Sequence, residues 1–382
     1  MQCDEAARGT RLWILRHGRS TLNDSQKFQG CGAASELTIE GVRSAEAAGT
    51  RLKYEAIDAI YSSPLRRAMQ TAELVAAALE NGARAPKLET REALREIELP
   101  AWEGLTFAAV RERSPEQFRQ FRECPEEFTL PDAVGEERWP VLEMEQRVHH
   151  FLSELIRVQA GRNILLVTHG GPARIILLAA LRLHVRCLHS VQVSHGGLSC
   201  VAVDRWPDRM KLEVLNELSH WEAKLPKVKD GKDGLRLLLV ASDTPQSEAE
   251  GEETLARMFE DLPIHRILAA GQDGVTAAMR LLRYRRRSTI ETCTEPGLLG
   301  NLLRQLSRYR AEGLVNLLVA ARGELLSQVL KQLMRWDALG MTTSVGLCKG
   351  LSVVHLPRST AYPVLQALNT CQAPECFAGG TR

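Results

Sequence analysis

Asn163–Thr168 reads NILLVT, an unbroken apolar run followed at once by His169-Gly170-Gly171 and then by a helix-forming stretch. A strand apolar along its whole length needs cover on both faces, which a parallel sheet flanked by helices supplies. The rest of the first half fits the same plan. RLWILR at 11–16, residues 59–62 and residues 198–203 have strand character; residues 37–52, 65–79, 143–158 and 172–183 have helical spacing. This alternation predicts an α/β protein, a three-layer α/β/α sandwich around a mainly parallel sheet.

A chain of 382 residues exceeds what one core ordinarily covers, so two domains are expected. The polar, lysine-rich stretch LPKVKDGKDG at 225–234 has the composition of a linker. The expected division is a domain over 1–222, a linker over 223–234 and a smaller domain over 235–382. Past the linker the pattern starts again. RLLLV at 236–240 parallels RLWIL at 11–15, VNLLV at 315–319 parallels NILLV at 163–167, and GLSVVH at 350–355 parallels GLSCVA at 197–202. The second domain therefore reads as a degenerate copy of the first. Aligning the two puts Ala241 and Ser242 at Arg16 and His17, Gly274 at Arg67 and Ala321 at His169.

A net charge of +2 speaks against a nucleic-acid or anionic-membrane partner. The basic run at 280–287 reads as a solvated helix end. Nine cysteines without CxxC spacing suggest reduced thiols and no zinc site, and Cys371 with Cys376 is the one pair set for bridging in an oxidising compartment. With no apolar run of about 20 residues and no signal-like start, the expected location is the cytoplasm.

Three segments end predicted strands: Arg16-His17-Gly18, Ser62-Ser63-Pro64-Leu65-Arg66-Arg67 and Thr168-His169-Gly170-Gly171. Strand ends at one edge of an open α/β sheet converge on one crevice. There they would gather two imidazoles and at least two guanidiniums. Guanidinium forks bind phosphate, glycines let backbone amides approach an anion, and a neutral imidazole is a competent nucleophile for phosphorus. Arg16 and Arg67 would hold His17 deprotonated near neutral pH. The segment at 94–104 offers Glu96, Glu98 and Glu103 as donors of the leaving group's proton. Ser194-His195-Gly196-Gly197 echoes the third segment but precedes a strand, and it reads as structural. His149-His150 lacks a partner at metal spacing.

In this order the segments resemble the histidine phosphatase superfamily, which includes phosphoglycerate mutases, the phosphatase half of fructose bisphosphate regulatory enzymes and α-ribazole phosphatases. The matches are RHG with Ser20 to Asn23, Phe28-Gln29-Gly30, the SSPL…RA…QTA run from Ser62 to Ala72, LxE…WEG around Glu96, and VTHGG with Arg174. The resemblance, over about residues 11–203, implies a catalytic set of His17, Glu96, His169, Arg16 and Arg67. Asn23, Gln29, Gly30 and Gly170 would contact substrate. It implies a phosphohistidine on His17, Glu96 as general acid, a small-molecule phosphomonoester as substrate, and neither metal nor organic cofactor. Pro100 and Gly135-Glu136-Glu137 depart from the family pattern at the expected rim. The alternatives are mutase-type phosphotransfer and a regulatory protein phosphatase or scaffold. The second domain would then be an inert packing partner, a homo-oligomer surface, a protein-docking surface or a ligand sensor.

Overall fold

The computed structural model describes residues 9–32, 35–80, 86–132, 134–205, 209–221, 225–228, 232–243, 249–282, 289–308, 313–335, 346–347, 350–358, 360 and 362–371. The chain divides into two compact units between Leu212 and Glu213. The expected boundary lay ten residues later, at the polar stretch. The division falls inside a strand, which composition cannot signal because the apolar alternation runs through it.

The first unit contains β1 (Thr10–Arg16), α1 (Thr21–Asp24), α2 (Ile39–Leu52), β2 (Ala59–Ser62), α3 (Arg66–Leu79) and β3 (Lys87–Thr90). It continues through α4 (Phe107–Arg113), α5 (Pro115–Glu123), the short pair β4 (Leu130–Pro131) and β5 (Glu137–Arg138), and α6 (Pro140–Val158). It closes with β6 (Asn163–Thr168), α7 (Gly170–Ala180) and β7 (Leu198–Arg205), and the division falls within β8 (Arg209–Glu217). The main sheet runs β8-β7-β1-β6-β2-β3. β1 pairs parallel with β6, β6 with β2 and β2 with β3, while β7 lies antiparallel to β1.

The chain steps from β1 to β2 to β3 in one direction and returns to β6 in the other. Right-handed crossovers then put α2 and α3 on one face and α6 on the opposite face. α2 packs on α3, and α6 on α7. The inner strands are covered on both sides: Leu12, Trp13, Ile14 and Leu15 of β1 and Ile164 to Val167 of β6 are all 1% exposed or less. The reversal of direction occurs between β1 and β6, the topological switch point where such sheets open a crevice.

Between β3 and α6, described residues 91–132 and 134–139 hold α4, α5, β4, β5 and the loops that join them. Their core is Trp102, 1% exposed, with Phe28, Phe121 and Phe128 ring centroids 5.1, 5.6 and 5.1 Å away. Pro140 opens α6, where a missing N–H costs nothing.

The second unit contains β9 (Gly234–Ala241), α8 (Ala249–Glu260), β10 (Arg266–Ala270), α9 (Gly271–Leu281), β11 (Ile290–Cys293), α10 (Leu298–Arg308), β12 (Leu314–Ala321), α11 (Gly323–Leu333), β13 (Leu351–Leu356) and β14 (Val364–Thr370). Its strands run β11-β10-β12-β9-β13-β14, the order β3-β2-β6-β1-β7-β8 of the first unit. Ala241 pairs with Ala321 as Arg16 pairs with Thr168. The amide of Ser242 donates to Ala321 O at 2.9 Å, as that of His17 donates to Thr168 O at 2.9 Å. This register corrects the sequence alignment by one residue: Arg322, not Ala321, stands at the place of His169. The buried set Gly274, Ala277, Ala278 and Leu281 of α9 repeats Ala68, Thr71, Ala72 and Val75 of α3, so Asp273, not Gly274, stands at the place of Arg67. Apolar strings tolerate a one-residue slip that hydrogen-bonded register does not. Residues 283–287 of the basic run and Cys376 lie outside the described residues. Among the described residues no helix is long and apolar enough to cross a membrane.

Replacing Trp102 by Ala removes the centre of the aromatic cluster. The loss expected in urea unfolding of the first unit is about 3–5 kcal/mol; a loss below about 1 kcal/mol would show that the cluster is not what orders 91–139.

Candidate active site

β1 and β6 end side by side, so the residues that follow them, His17 and His169, lie together with ring centroids 5.0 Å apart in an edge-to-face arrangement. His17 is 2% exposed and His169 fully buried. The loop after His17 is fixed from two helices. Gly18 donates its amide to Thr71 Oγ1 on α3 at 3.1 Å, and Thr71 donates in turn to Arg67 O at 2.8 Å. A Cβ at Gly18 would lie 2.3 Å from Gly41 O on α2, so no larger residue fits there.

The partners of His17 define its tautomer. Nδ1 lies 2.7 Å from Gly18 O, which can only accept, so Nδ1 carries the proton. Nε2 accepts from Arg67 Nε at 3.3 Å, so its single lone pair points at the guanidinium. Burial, then Arg67 and Arg16, hold the His17 pKa well below 6.5. Burial, then Arg67, His17 and Arg16, do the same to His169. His169 Nε2 lies 2.7 Å from Ser63 Oγ, at the end of β2.

Arg67, second residue of α3 and 1% exposed, donates through Nη2 to Gly30 O at 3.0 Å. Arg66 lies on the surface, in a loose pair with Glu36 at 3.6 Å. Arg16 donates to Val193 O at 2.7 Å, and burial and Arg174 lower its pKa to about 10, so it stays charged at neutral pH. Arg174 bonds Val191 O at 2.9 Å.

Glu96 meets this cluster from the β3–α6 segment. Its carboxylate accepts from the amides of Gly170 and Gly171, the first residues of α7, at 3.1 and 3.0 Å, and from Ile97 N at 3.0 Å. A negative group at a helix N-terminus satisfies orphan donors and the helix dipole together. A Cβ at Gly171 would lie 2.4 Å from Glu96 Oε1, so the glycine is what admits the carboxylate. The other two candidate acids are committed elsewhere. Glu98 pairs with Arg138 at 3.2 Å, and Glu103 accepts from Gly32 N at 2.8 Å beneath the Gly30–Gly32 loop.

Of the expected substrate contacts, Gly170 lies at the cluster through its amide and Gly30 through its carbonyl. Asn23 and Gln29 have their side-chain oxygens engaged within the loop. Asn23 accepts from Ser20 N and Oγ at 3.2 and 2.8 Å, closing the cap of α1, and Gln29 accepts from Ser20 and Ser35 hydroxyls at 3.1 Å each.

Sequence reasoning missed two residues here. In sequence Ser63 is only one residue of a motif, yet its hydroxyl lies 2.7 Å from His169 Nε2. His195 was set aside because its segment precedes a strand; its ring centroid lies 5.6 Å from that of His17, and Gly196 N bonds Arg16 O and His17 O at 3.1 and 3.3 Å. β7 is antiparallel to β1, so the start of β7 lies at the same sheet edge as the end of β1. The signal available was strand direction, which the local sequence does not state.

In the second unit, Ser242, Asp273 and Arg322 stand at the places of His17, Arg67 and His169. Arg322 pairs with Glu295 at 2.5 Å, and Asp243 Oδ1 accepts from Gly323 N, at the start of α11, at 2.9 Å. The imidazole pair and the guanidinium of the first unit are replaced by a hydroxyl, a carboxylate and one ion-paired arginine.

A family model described as histidine phosphatase superfamily (branch 1) matches residues 12–218. The chain belongs to that superfamily. It is 29% identical over 173 residues to phosphoserine phosphatase 1 of Hydrogenobacter thermophilus, covering 45% of this chain and 76% of that protein. It is 27% identical over 249 residues to 2-carboxy-D-arabinitol-1-phosphatase of Triticum aestivum, covering 64% of this chain and 48% of that protein. Among solved structures it is similar to YhfR of Bacillus stearothermophilus, with 28% identity, a TM-score of 0.49, and coverage of 56% of this chain and all of that one. The chain spans half or less of the length of several curated relatives it matches.

The two depressed imidazoles set a pH dependence of stability. Folded, they bind protons only well below 6.5; unfolded, they bind them near 6.5. As pH falls through 6.5 the unfolded state takes up more protons, so stability present above that pH is lost below it. Urea midpoints between about pH 7 and pH 5 should fall, and should fall less in a His17→Gln/His169→Gln double variant. An equal fall would mean that other groups set the dependence.

Proposed function

We propose that the first unit is a phosphoric monoester hydrolase that works through a phosphohistidine on His17. The observation that carries this reading is the state of His17: neutral, with Nδ1–H tied to Gly18 O and the Nε2 lone pair facing Arg67. The ester's phosphoryl group would bind among Arg16, Arg67, His169 and the amides of α7, which meet its charge with fixed donors. As Arg67 turns its donors to the phosphate oxygens, Nε2 is released and attacks phosphorus while the ester P–O bond breaks. The departing alkoxide takes a proton from Glu96.

The ester would bring that proton as its monoanion, passing it to Glu96 as the phosphate oxygens replace the carboxylate on the α7 amides. In the second half, Glu96 accepts a proton from water, the oxygen attacks phosphorus, the P–N bond breaks, and inorganic phosphate leaves with His17 restored. His169 and the arginines stabilise the same charge in both halves. Asn23, Gln29 and Gly30 shape the loop that holds Arg67.

Names of relatives suggest the substrate class. Phosphoserine and 2-carboxy-arabinitol 1-phosphate are small esters carrying a carboxylate, and a panel should begin with them. The second unit is proposed to be a degenerate copy without a nucleophile, since Ser242, Asp273 and Arg322 form no phosphate clamp.

The test is hydrolysis of p-nitrophenyl phosphate in EDTA. The wild type should turn over, and His17→Ala should lose at least about a thousandfold. Absence of wild-type turnover on this ester and on the panel would overturn the reading.

A second expectation concerns Ser63. Ser63→Ala leaves His169 without its hydroxyl partner, and kcat should fall about tenfold with KM little changed. A change in KM alone would place Ser63 in substrate binding instead.

A further inference from the structure

The segment carrying Glu96 begins with one short 3-10 turn at Glu92–Leu94, and three of its carbonyls are held by side chains from other elements. Arg147, on α6, donates through Nη1 to Glu92 O at 3.0 Å and through Nη2 to Glu96 O at 3.3 Å. Thr168, at the end of β6, donates to Leu94 O at 2.7 Å. Cys31 Sγ donates to Glu96 O at 2.8 Å. One guanidinium thus spans both ends of the turn from 92 to 96, and the last carbonyl has a second donor from the loop that also holds Arg67. The hydrogen bonds to the Glu96 carboxylate, by contrast, come among the described residues from backbone amides.

We propose that Arg147 is a positioning residue for Glu96: it fixes the backbone from which the carboxyl group swings between the α7 amides and the ester oxygen. This rests on the proposed phosphohistidine reading. The geometry separates two functions within one residue. Donors from α6 and the 30s loop pin the main chain, while the side chain is secured by contacts that an incoming phosphate replaces. An unpinned backbone would let the displaced carboxyl group drift out of reach of the leaving oxygen. General acid catalysis requires hydrogen-bond distance to that atom. Among the described residues the hydrogen bonds of Arg147 go to carbonyls of the acid segment, and its pKa is lowered chiefly by burial. Its planar fork matches two carbonyls at fixed separation, which a lysine ammonium cannot reproduce in full.

The consequence depends on the leaving group. p-Nitrophenolate departs with little help from an acid; phenolate, a far stronger base, needs the proton. Arg147→Met, Arg147→Lys and Glu96→Gln would be compared with the wild type in kcat/KM on p-nitrophenyl phosphate and phenyl phosphate, with inhibition by orthovanadate measured alongside. Arg147→Met should lose only a few-fold on the first ester and about tenfold or more on the second, steepening the leaving-group dependence in the same sense as Glu96→Gln. Arg147→Lys should recover part of the loss, and vanadate inhibition should be little altered.

Equal losses on both esters, or no loss on either, would overturn the proposal while leaving the phosphohistidine reading in place. If wild type and His17→Ala hydrolyse p-nitrophenyl phosphate equally, that reading fails and this one with it. Should Arg147→Met unfold below assay temperature, Arg147→Lys and Cys31→Ala provide the same comparison, since both loosen the Glu96 carbonyl without emptying the site.

Discussion

The parallel pairing of β1 with β6 is the constraint on which the rest of the first unit depends. With Arg16 opposite Thr168, the next residue on each strand is a histidine, and the two imidazoles meet at the sheet edge. A slip of one residue would turn every side chain of the moved strand to the other face. The register is secured by apolar burial on both sides, a layer above and a layer below. The chemistry at the edge is thus held by residues that take no part in it.

Burial of that edge creates an electrostatic problem with one economical solution. Two guanidiniums lie beside two imidazoles, and all four could not remain charged out of water. The imidazoles yield: their pKa values fall well below the ordinary 6.5, while Arg16, lowered to about 10, stays charged. The outcome is a positive site around a neutral His17. Glu96 is the internal anion that offsets this charge in the resting protein, seated where an external anion would be expected. Self-complementarity of this kind accounts for a helix beginning on two glycines. Their amides have a carboxylate to bind, and a side chain at Gly171 would exclude it.

The second unit preserves the same strand order and register with different edge chemistry. Ala241 pairs with Ala321, yet the residues beyond them are Ser242 and Arg322. Apolar registers and edge residues are separable, because the first are selected by packing and the second by what the edge must hold. The sheet pattern persists across the two units although the histidines do not.

Much of this was legible in sequence. The α/β alternation and the placing of His17 and His169 at strand ends followed from apolar runs and local punctuation, while Arg67 over Arg66 and Glu96 among three acids were implied by the resemblance of ordered motifs alone. These are properties a chain carries in consecutive residues, since strand and helix periodicity are local. Other features had no local signature. α7 begins at Gly170 rather than near Pro172, because a carboxylate distant in sequence caps it. His195 joins the edge because β7 runs antiparallel to β1. Ser63 and Arg147 matter through partners 106 and 51 residues away. The division into units falls inside β8, not in the polar stretch that follows. Sequence by itself determined which residue types arrive at strand ends. Only tertiary structure decided strand direction, register and the identity of long-range donors, because these arise from which distant segments share a buried surface.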